Sequence, residues 1–165
     1  MKALKIRDPS YNGYASIQKF DQFTYDYMYL VERHDLDEQT AIKVMPNYLT
    51  SKAHEYVLNN VSQNPRGWSL QSVFTAMFEH CFPPTFKEEL RRELMLGRQG
   101  RKTVEEFSNS LRTGARRFGD ITEQSMVQTL WDGVHQYIRV HWRTQGFSPE
   151  RTKFNRLVKH AKRAE

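Results

Sequence analysis

The residues that most often carry out chemistry are sparse in this chain of 165 residues, which has one cysteine and six histidines. Cys81 lies in the aromatic run FTAMFEHCF, where a lone thiol is typical of a small buried side chain. His135 and His141 are six residues apart, which places them off a common helix face and does not fit a pair of metal ligands. The sequence has no phosphate loop, GxSxG or HExxH motif. It therefore predicts a protein that is not an enzyme, with no catalytic residue, metal site or cofactor.

The basic residues are concentrated in the second half of the chain. Residues 1–86 hold 8 Lys/Arg and 9 Asp/Glu, a net charge of −1, whereas residues 87–165 hold 17 and 10, a net charge of +7. This asymmetry favours two units, the second with an anionic partner such as RNA. Most of these cations are expected on solvated helix faces. The best candidates for phosphate contact, in a weak and salt-dependent complex, are Lys159, Lys162 and Arg163.

Cysteine usage and hydropathy indicate the compartment. A single cysteine excludes an intrachain disulfide and a zinc knuckle formed by these residues. The apolar runs are far shorter than a membrane span, and the start MKALKIRDPS has no apolar core of a signal peptide. We therefore expect a reducing, cytoplasmic location.

The segment 93–118, ELMLGRQGRKTVEEFSNSLRTGARRF, predicts a tight turn followed by an amphipathic helix. Thr103 is an N-cap, and Glu106 stands three residues on, which predicts a capping box. Apolar residues then recur at near-helical spacing and form the expected buried stripe, namely Val104, Phe107, Leu111 and Phe118.

The turn itself, RQGRK, holds two residues with special properties. Gly100 adopts a positive φ angle at no steric cost. Gln99 has an amide that both donates and accepts, so we expect it to tie the turn to nearby backbone.

Apolar periodicity of three and four residues predicts further helices on both sides of this segment. Before them, residues 1–14 predict an extended arm whose Tyr11 and Tyr14 dock on the first bundle, with a frayed terminus as the alternative. The first helix, from Ser16 to about Arg33, carries more aromatic surface than a small bundle buries, through Tyr25 and Tyr29. That surplus is interpreted as core or, alternatively, as a groove or subunit contact.

Later helices are predicted to begin at Asp37, Thr50 or Ser51, and Trp68 or Ser69. Further starts are predicted at Thr85, Thr103, Thr122, Val134 and Ser148-Pro149. The residues expected to form the cores of the two bundles are Phe20, Phe23, Trp68, Phe74, Phe78 and Trp131.

A double proline, Pro83-Pro84, interrupts the helical pattern between the two halves. No segment shows sustained alternation of the kind that strands show. The predicted fold is therefore all-α, with about nine helices in two small bundles, residues 1–83 with the N-terminal arm and residues 84–165.

Over nearly its whole length the chain resembles the Gag capsid protein of gypsy-type LTR retrotransposons (Metaviridae), a family with domesticated descendants and distant retroviral relatives. The most specific part comprises WSLQSVFTAMFEHCFPP, then KEELRRELMLGRQGRKTVEEFSNSLRTGARRF, then MVQTLWDGV. The arm DPSYNGY followed by KFDQF is similar to the start of the family's N-terminal lobe.

The turn and helix of residues 99–111 are similar to the major homology region of retroviral capsids. The residues at its positions are Gln99, Gly100, Glu105 or Glu106, and Phe107. The sequence departs from the pattern where an arginine usually follows the aromatic residue, since Ser110 stands there and Arg112 is the nearest arginine. Which side chain completes the internal hydrogen-bond network of the motif is thus left open.

The resemblance implies a two-lobed capsid subunit. Such subunits assemble into hexamers and pentamers, or dimerise through the C-terminal lobe. The resulting intracellular virus-like particle packages the element's RNA. The family's zinc knuckle and protease are not among these residues, which implies a capsid segment or a domesticated product. Two alternatives remain, a capsid-like module that binds a peptide or protein in an aromatic groove and a basic helical nucleic-acid binder.

Overall fold

A computed structural model describes residues 7–165, which form nine α-helices and no strand, so the predicted all-α class is confirmed. The helices are α1 Ile17–Arg33, α2 Glu38–Val44, α3 Ser51–Asn60, α4 Leu70–Cys81, α5 Pro84–Met95, α6 Val104–Phe118, α7 Glu123–Gly133, α8 Gln136–Thr144 and α9 Phe154–Ala164. None of these helices combines the length and hydropathy that a membrane span requires.

The chain divides into two compact units, the first ending at Pro84 and the second running from Thr85 to Glu165. The boundary predicted from the sequence lies one residue earlier. Pro84 is the first residue of α5, a position where its fixed φ angle suits a helix and its missing N–H costs nothing. The second proline of the pair therefore opens a helix.

Unit 1 packs α1 to α4 around a cluster of aromatic rings. Phe20, Phe23, Phe74 and Phe78 are all buried. The ring centroids of Phe20 and Phe78 are 5.6 Å apart, and those of Phe23 and Phe74 are 6.3 Å apart in an edge-to-face arrangement. Such edge contacts add to the energy of burial, so phenylalanine rings help to join α1 and α4.

The described part of the arm docks on unit 1 through one of its two tyrosines. Tyr11 is buried and forms an isolated parallel bridge with Leu49, in which its N–H donates to Tyr48 O over 3.2 Å. Tyr14 is 67% exposed, so the prediction that it docks is wrong. The physical reason is the turn at Asn12 and Gly13, in which the Tyr14 N–H donates to Asn12 Oδ1 over 3.0 Å and the Tyr14 side chain is left outside the core. The first six residues of the predicted arm lie outside the described residues.

Trp68 is a second correction to the predicted core. It lies after a short 3₁₀ turn, Pro65–Gly67, and before α4, with extended backbone, and it is half-buried. The helix begins at Leu70 behind the N-cap Ser69, whose side chain and that of Ser72 form a reciprocal capping box. Because Trp68 precedes the cap, it is outside the apolar stripe of α4.

Unit 2 contains α5 to α9 and a core centred on two stacked indoles. Trp131 and Trp142 are buried with ring centroids 5.0 Å apart, and the Trp142 indole N–H donates to Leu157 O over 2.9 Å. Phe107 and Leu130 belong to the same core. This cluster joins α6, α7, α8 and α9.

The last helix begins later than predicted. Ser148-Pro149 starts an isolated turn, in which the Thr152 N–H donates to Ser148 O over 3.1 Å. Lys153 is then extended, and α9 begins at Phe154. The Phe154 N–H donates to a Glu123 carboxylate oxygen over 3.3 Å. The cap of α9 is therefore supplied by α7, from a distant part of the sequence.

Candidate functional site

Gln99 is the centre of the turn between α5 and α6 and is 1% exposed. Its amide Nε2 donates to Lys102 O over 3.1 Å, and the His135 N–H donates to its Oε1 over 3.0 Å. Its own backbone N–H donates to Gly133 O over 2.8 Å. A buried amide with a partner at each end is satisfied at both its donor atom and its acceptor atom. Gln99 thus ties its turn to the junction of α7 and α8.

The α7–α8 junction packs closely against this turn because the junction contains Gly133, which has no side chain. A Cβ atom at Gly133 would lie 2.5 Å from both Gly97 O and Phe107 Cζ. These distances are far below van der Waals contact, so a side chain would separate the turn, the junction and Phe107. Gly100, with φ +56°, lies in the exposed part of the turn, and its carbonyl oxygen is 2.7 Å from His135 Nε2.

Two arginines outside the predicted motif complete the hydrogen-bond network around the junction. The Arg139 guanidinium donates to Val134 O over 2.8 Å and to Trp131 O and Asp132 O over 3.2 Å. Arg98 donates to Asp132 O over 2.6 Å. Cationic donors suit the unpaired carbonyls at a helix C-terminus.

Ser110 and Arg112 are the two residues at or near the arginine position of the motif. Neither reaches the α7–α8 junction. Ser110 donates to Glu106 O within its own helix, and Arg112 donates to Asn109 and Asn155. Sequence reasoning missed the role of Arg139. The signal that could have indicated it is the position of Arg139 in α8, six residues after Gly133.

The start of α6 has two side-chain caps. Thr103 Oγ1 accepts from the Glu106 N–H over 3.1 Å. The Val104 N–H donates to both carboxylate oxygens of Glu165, over 3.1 and 3.3 Å. The predicted reciprocal bond from the Thr103 backbone N–H to Glu106 is not formed, because the Glu106 carboxylate accepts from the Thr103 hydroxyl over 3.3 Å instead. The N-cap is therefore present without the full capping box.

Thr103→Ala should destabilise unit 2 by about 1 kcal/mol, since it removes the acceptor of the Glu106 N–H. Thermal and urea unfolding followed by circular dichroism measures the change. Ser110→Ala is the matched control, because it deletes an exposed hydroxyl in the same helix and should change stability by only a few tenths of a kcal/mol. Equal effects of the two substitutions would contradict the cap.

The remaining homology-region residues are core residues. Val104, Phe107 and Leu111 are all buried. Together with Gln99 they line the contact of α6 with α7 and α9. The site predicted from the sequence is therefore brought together in space, as an internal support of unit 2.

The titratable groups with shifted pKa values lie outside this support. Burial raises the pKa of Tyr11, Tyr27 and Cys81, and the Thr40 N–H that caps onto Asp37 lowers the pKa of its carboxyl. Within residues 7–165 no group of histidine, cysteine and carboxylate side chains is arranged to hold a metal ion.

Several large apolar side chains of both units are exposed. On α1, Tyr25, Met28 and Tyr29 are 71%, 39% and 47% exposed, so the interpretation of this face as core is wrong. On α8, Tyr137 and Val140 are 50% and 49% exposed. Adjacent apolar residues on a helix face are typical of an interaction surface.

The three predicted phosphate contacts differ in their surroundings. The Lys162 ammonium lies 2.9 Å from a Glu105 carboxylate oxygen. Lys159 and Arg163 are exposed and have no ion pair with other residues in the described part of the chain. Lys162 is therefore already paired, whereas the other two remain available.

The comparisons with known proteins include a similar solved structure. Neither protein-family models nor curated proteins match the chain. Among solved structures, the chain is similar to a "dARC1 capsid domain dimer", with a TM-score of 0.41 and 14% sequence identity over 97% of this chain and 96% of that one. A match at this level of identity and superposition does not identify the function of this chain.

Proposed function

We propose that the chain is a capsid-type structural subunit, not an enzyme, which self-associates into an intracellular particle around RNA. The observation that carries the proposal is the buried Gln99 with its two amide bonds. It lies in the segment that resembles the homology region, where its Oε1 holds the α7–α8 junction through the His135 N–H and its Nε2 holds its own turn through Lys102 O. A buried amide that is paired at both ends has a structural task.

The exposed apolar faces supply the second part of the argument. A subunit of a shell needs surfaces that repeat the same contact between copies. The α1 face, defined by Tyr25, Met28 and Tyr29, and the α8 face, defined by Tyr137 and Val140, are such surfaces, one in each unit. Each is small, so we expect weak contacts that assemble only at high protein concentration.

Sedimentation velocity and negative-stain electron microscopy over a range of protein and salt concentrations test the proposal. We expect a monomer at low concentration and closed or sheet-like assemblies at high concentration. Tyr25→Ser with Tyr29→Ser should reduce assembly with no loss of helicity, whereas Leu58→Ser, which alters an exposed apolar residue on α3, should not. A chain that stays monomeric under every condition would contradict self-assembly.

A cavity of about 360 Å³ in unit 1 favours a second candidate, a module that binds peptides. It lies between the arm and α1 and is lined by residues that include Asp8, Tyr11, Lys19, Phe23 and Asp26. Aromatic walls with both charge signs suit a short polar peptide. Peptide panning with the full chain tests it, and Lys19→Glu should abolish capture of any selected peptide.

A further inference from the structure

One face of α9 carries three cationic side chains that no carboxylate in residues 7–165 neutralises. Arg156, Lys159 and Arg163 are spaced by three and four residues, which places them on the same side of the helix. All three are exposed, and α9 contains no aspartate or glutamate. Seven residues of helix extend about 10 Å. The three charges therefore form a short row.

The lysines beside this row are paired. Lys162 contacts Glu105 over 2.9 Å, and Lys153 lies 3.8 Å from Glu123. One of these ion pairs lies at the N-cap of α9 and the other beside the row, so the paired lysines lie outside the unpaired row. In an evenly solvated helix, ion pairs would be distributed over all faces. Here the face with Arg156, Lys159 and Arg163 has none within residues 7–165.

An aromatic ring supports the row at its N-terminal end. Phe147, half-buried after the turn at Gly146, has the Arg156 guanidinium over its ring at 5.2 Å from Cζ to the centroid. The His160 ring meets the same phenylalanine edge-to-face at 4.8 Å. A guanidinium held over a ring is partly ordered in advance and keeps its outer face free for stacking.

The electrostatics of His160 support the same picture. Its pKa is lowered first by desolvation and then by the positive charges of Arg163, Arg156 and Lys159, with a smaller effect of His141. The three cations therefore act together on a group between them. Such convergence creates a local positive potential, which attracts polyanions.

We propose that the Arg156 face, defined as Arg156, Lys159 and Arg163 with Phe147 beneath Arg156, binds single-stranded nucleic acid. The three cations contact successive phosphates, and one base stacks on the Arg156 guanidinium. A lipid surface fits less well, because the large apolar side chains exposed in the described part of the chain lie outside α9. The inference rests on the proposed function only in naming RNA as the natural ligand.

Fluorescence anisotropy with labelled 20-nucleotide oligo(U) tests the proposal, at a protein concentration where sedimentation shows a monomer. Three phosphate contacts on a single strand predict a slope of about −2 in log affinity against log salt, or roughly a 20-fold loss from 50 to 200 mM. Arg156→Gln with Lys159→Gln and Arg163→Gln should weaken binding about 10-fold or more at 50 mM and flatten the slope by about 2. The matched control removes three exposed cations from unit 1, through Arg33→Gln, Lys43→Gln and Arg66→Gln.

Phe147→Leu separates stacking from charge. It keeps an apolar side chain in place but removes the ring under Arg156, so affinity should fall a few-fold while the salt slope stays unchanged. Equal affinity and slope for the α9 triple variant and the unit 1 control would overturn the proposal, as would no binding at 50 mM salt. Binding of the wild type to phosphatidylserine vesicles but not to RNA would also overturn it. Since the assay uses monomer, failure of assembly and failure of RNA binding are distinguished.

Discussion

Phe107→Ala should destabilise unit 2 by about 3–5 kcal/mol, enough to unfold a unit of this size. The ring is 2% exposed and lies beside two glycines. A Cβ atom at Gly97 would be 3.5 Å from Phe107 Cε2, and one at Gly133 would be 2.5 Å from its Cζ. Because the glycines have no side chains to collapse into the space, the truncated site would remain a cavity, which places the cost in the upper part of the range.

Urea unfolding followed by tryptophan fluorescence measures this change. Trp131 and Trp142 both lie in the core of unit 2, so a Trp68→Phe background makes the signal specific to that unit. Leu96→Ala is the control, because it truncates an apolar side chain of the same unit that is 66% exposed and should cost less than about 0.5 kcal/mol. A Phe107→Ala variant as stable as the control would show that Phe107 does not support the turn.

The features that could be predicted from the sequence depend on residues close together in the chain. Ser16, Asp37 and Thr122 each cap a helix, and each accepts a hydrogen bond from a backbone N–H three residues on. The spacing of aromatic residues at intervals of three and four likewise predicts the buried face of α1. Such signals are complete within a few residues, so local physics determines them.

The features that could not be predicted join distant residues. Glu165 caps α6 from a point 61 residues further along the chain, and Arg139 completes the junction from a later helix. Nothing in the local sequence distinguishes these side chains from solvated ones. The same limit explains the wrong prediction for Tyr14. Which of the two nearby tyrosines docks depends on the direction of the turn between them, and contact with α3 sets that direction. A Cβ at Gly13 would lie 2.6 Å from Ala53 N in α3.

The Gln99 amide should contribute as much to stability as the Phe107 ring. Gln99→Met keeps a side chain of similar length but removes both hydrogen-bonding ends of the amide. The His135 N–H and the Lys102 carbonyl would then be left unpaired, at about 1–3 kcal/mol each. We expect a loss of about 2–6 kcal/mol in the free energy of unfolding of unit 2.

Gln99→Glu separates the two ends of the amide. Its carboxylate still accepts from the His135 N–H but has no hydrogen to donate to Lys102 O, and its buried charge adds a cost, so it should be at least as destabilising as Gln99→Met although the His135 bond is kept. Gln128→Met is the control, because Gln128 is exposed and bonds only to Asp132 within α7. Amide hydrogen exchange adds a local measurement, since the His135 N–H should be protected in wild type and Gln99→Glu and should exchange faster in Gln99→Met. If the His135 amide exchanged equally fast in all three proteins, Gln99 would not hold the α7–α8 junction, and the support on which the proposed assembly depends would have to lie elsewhere in unit 2.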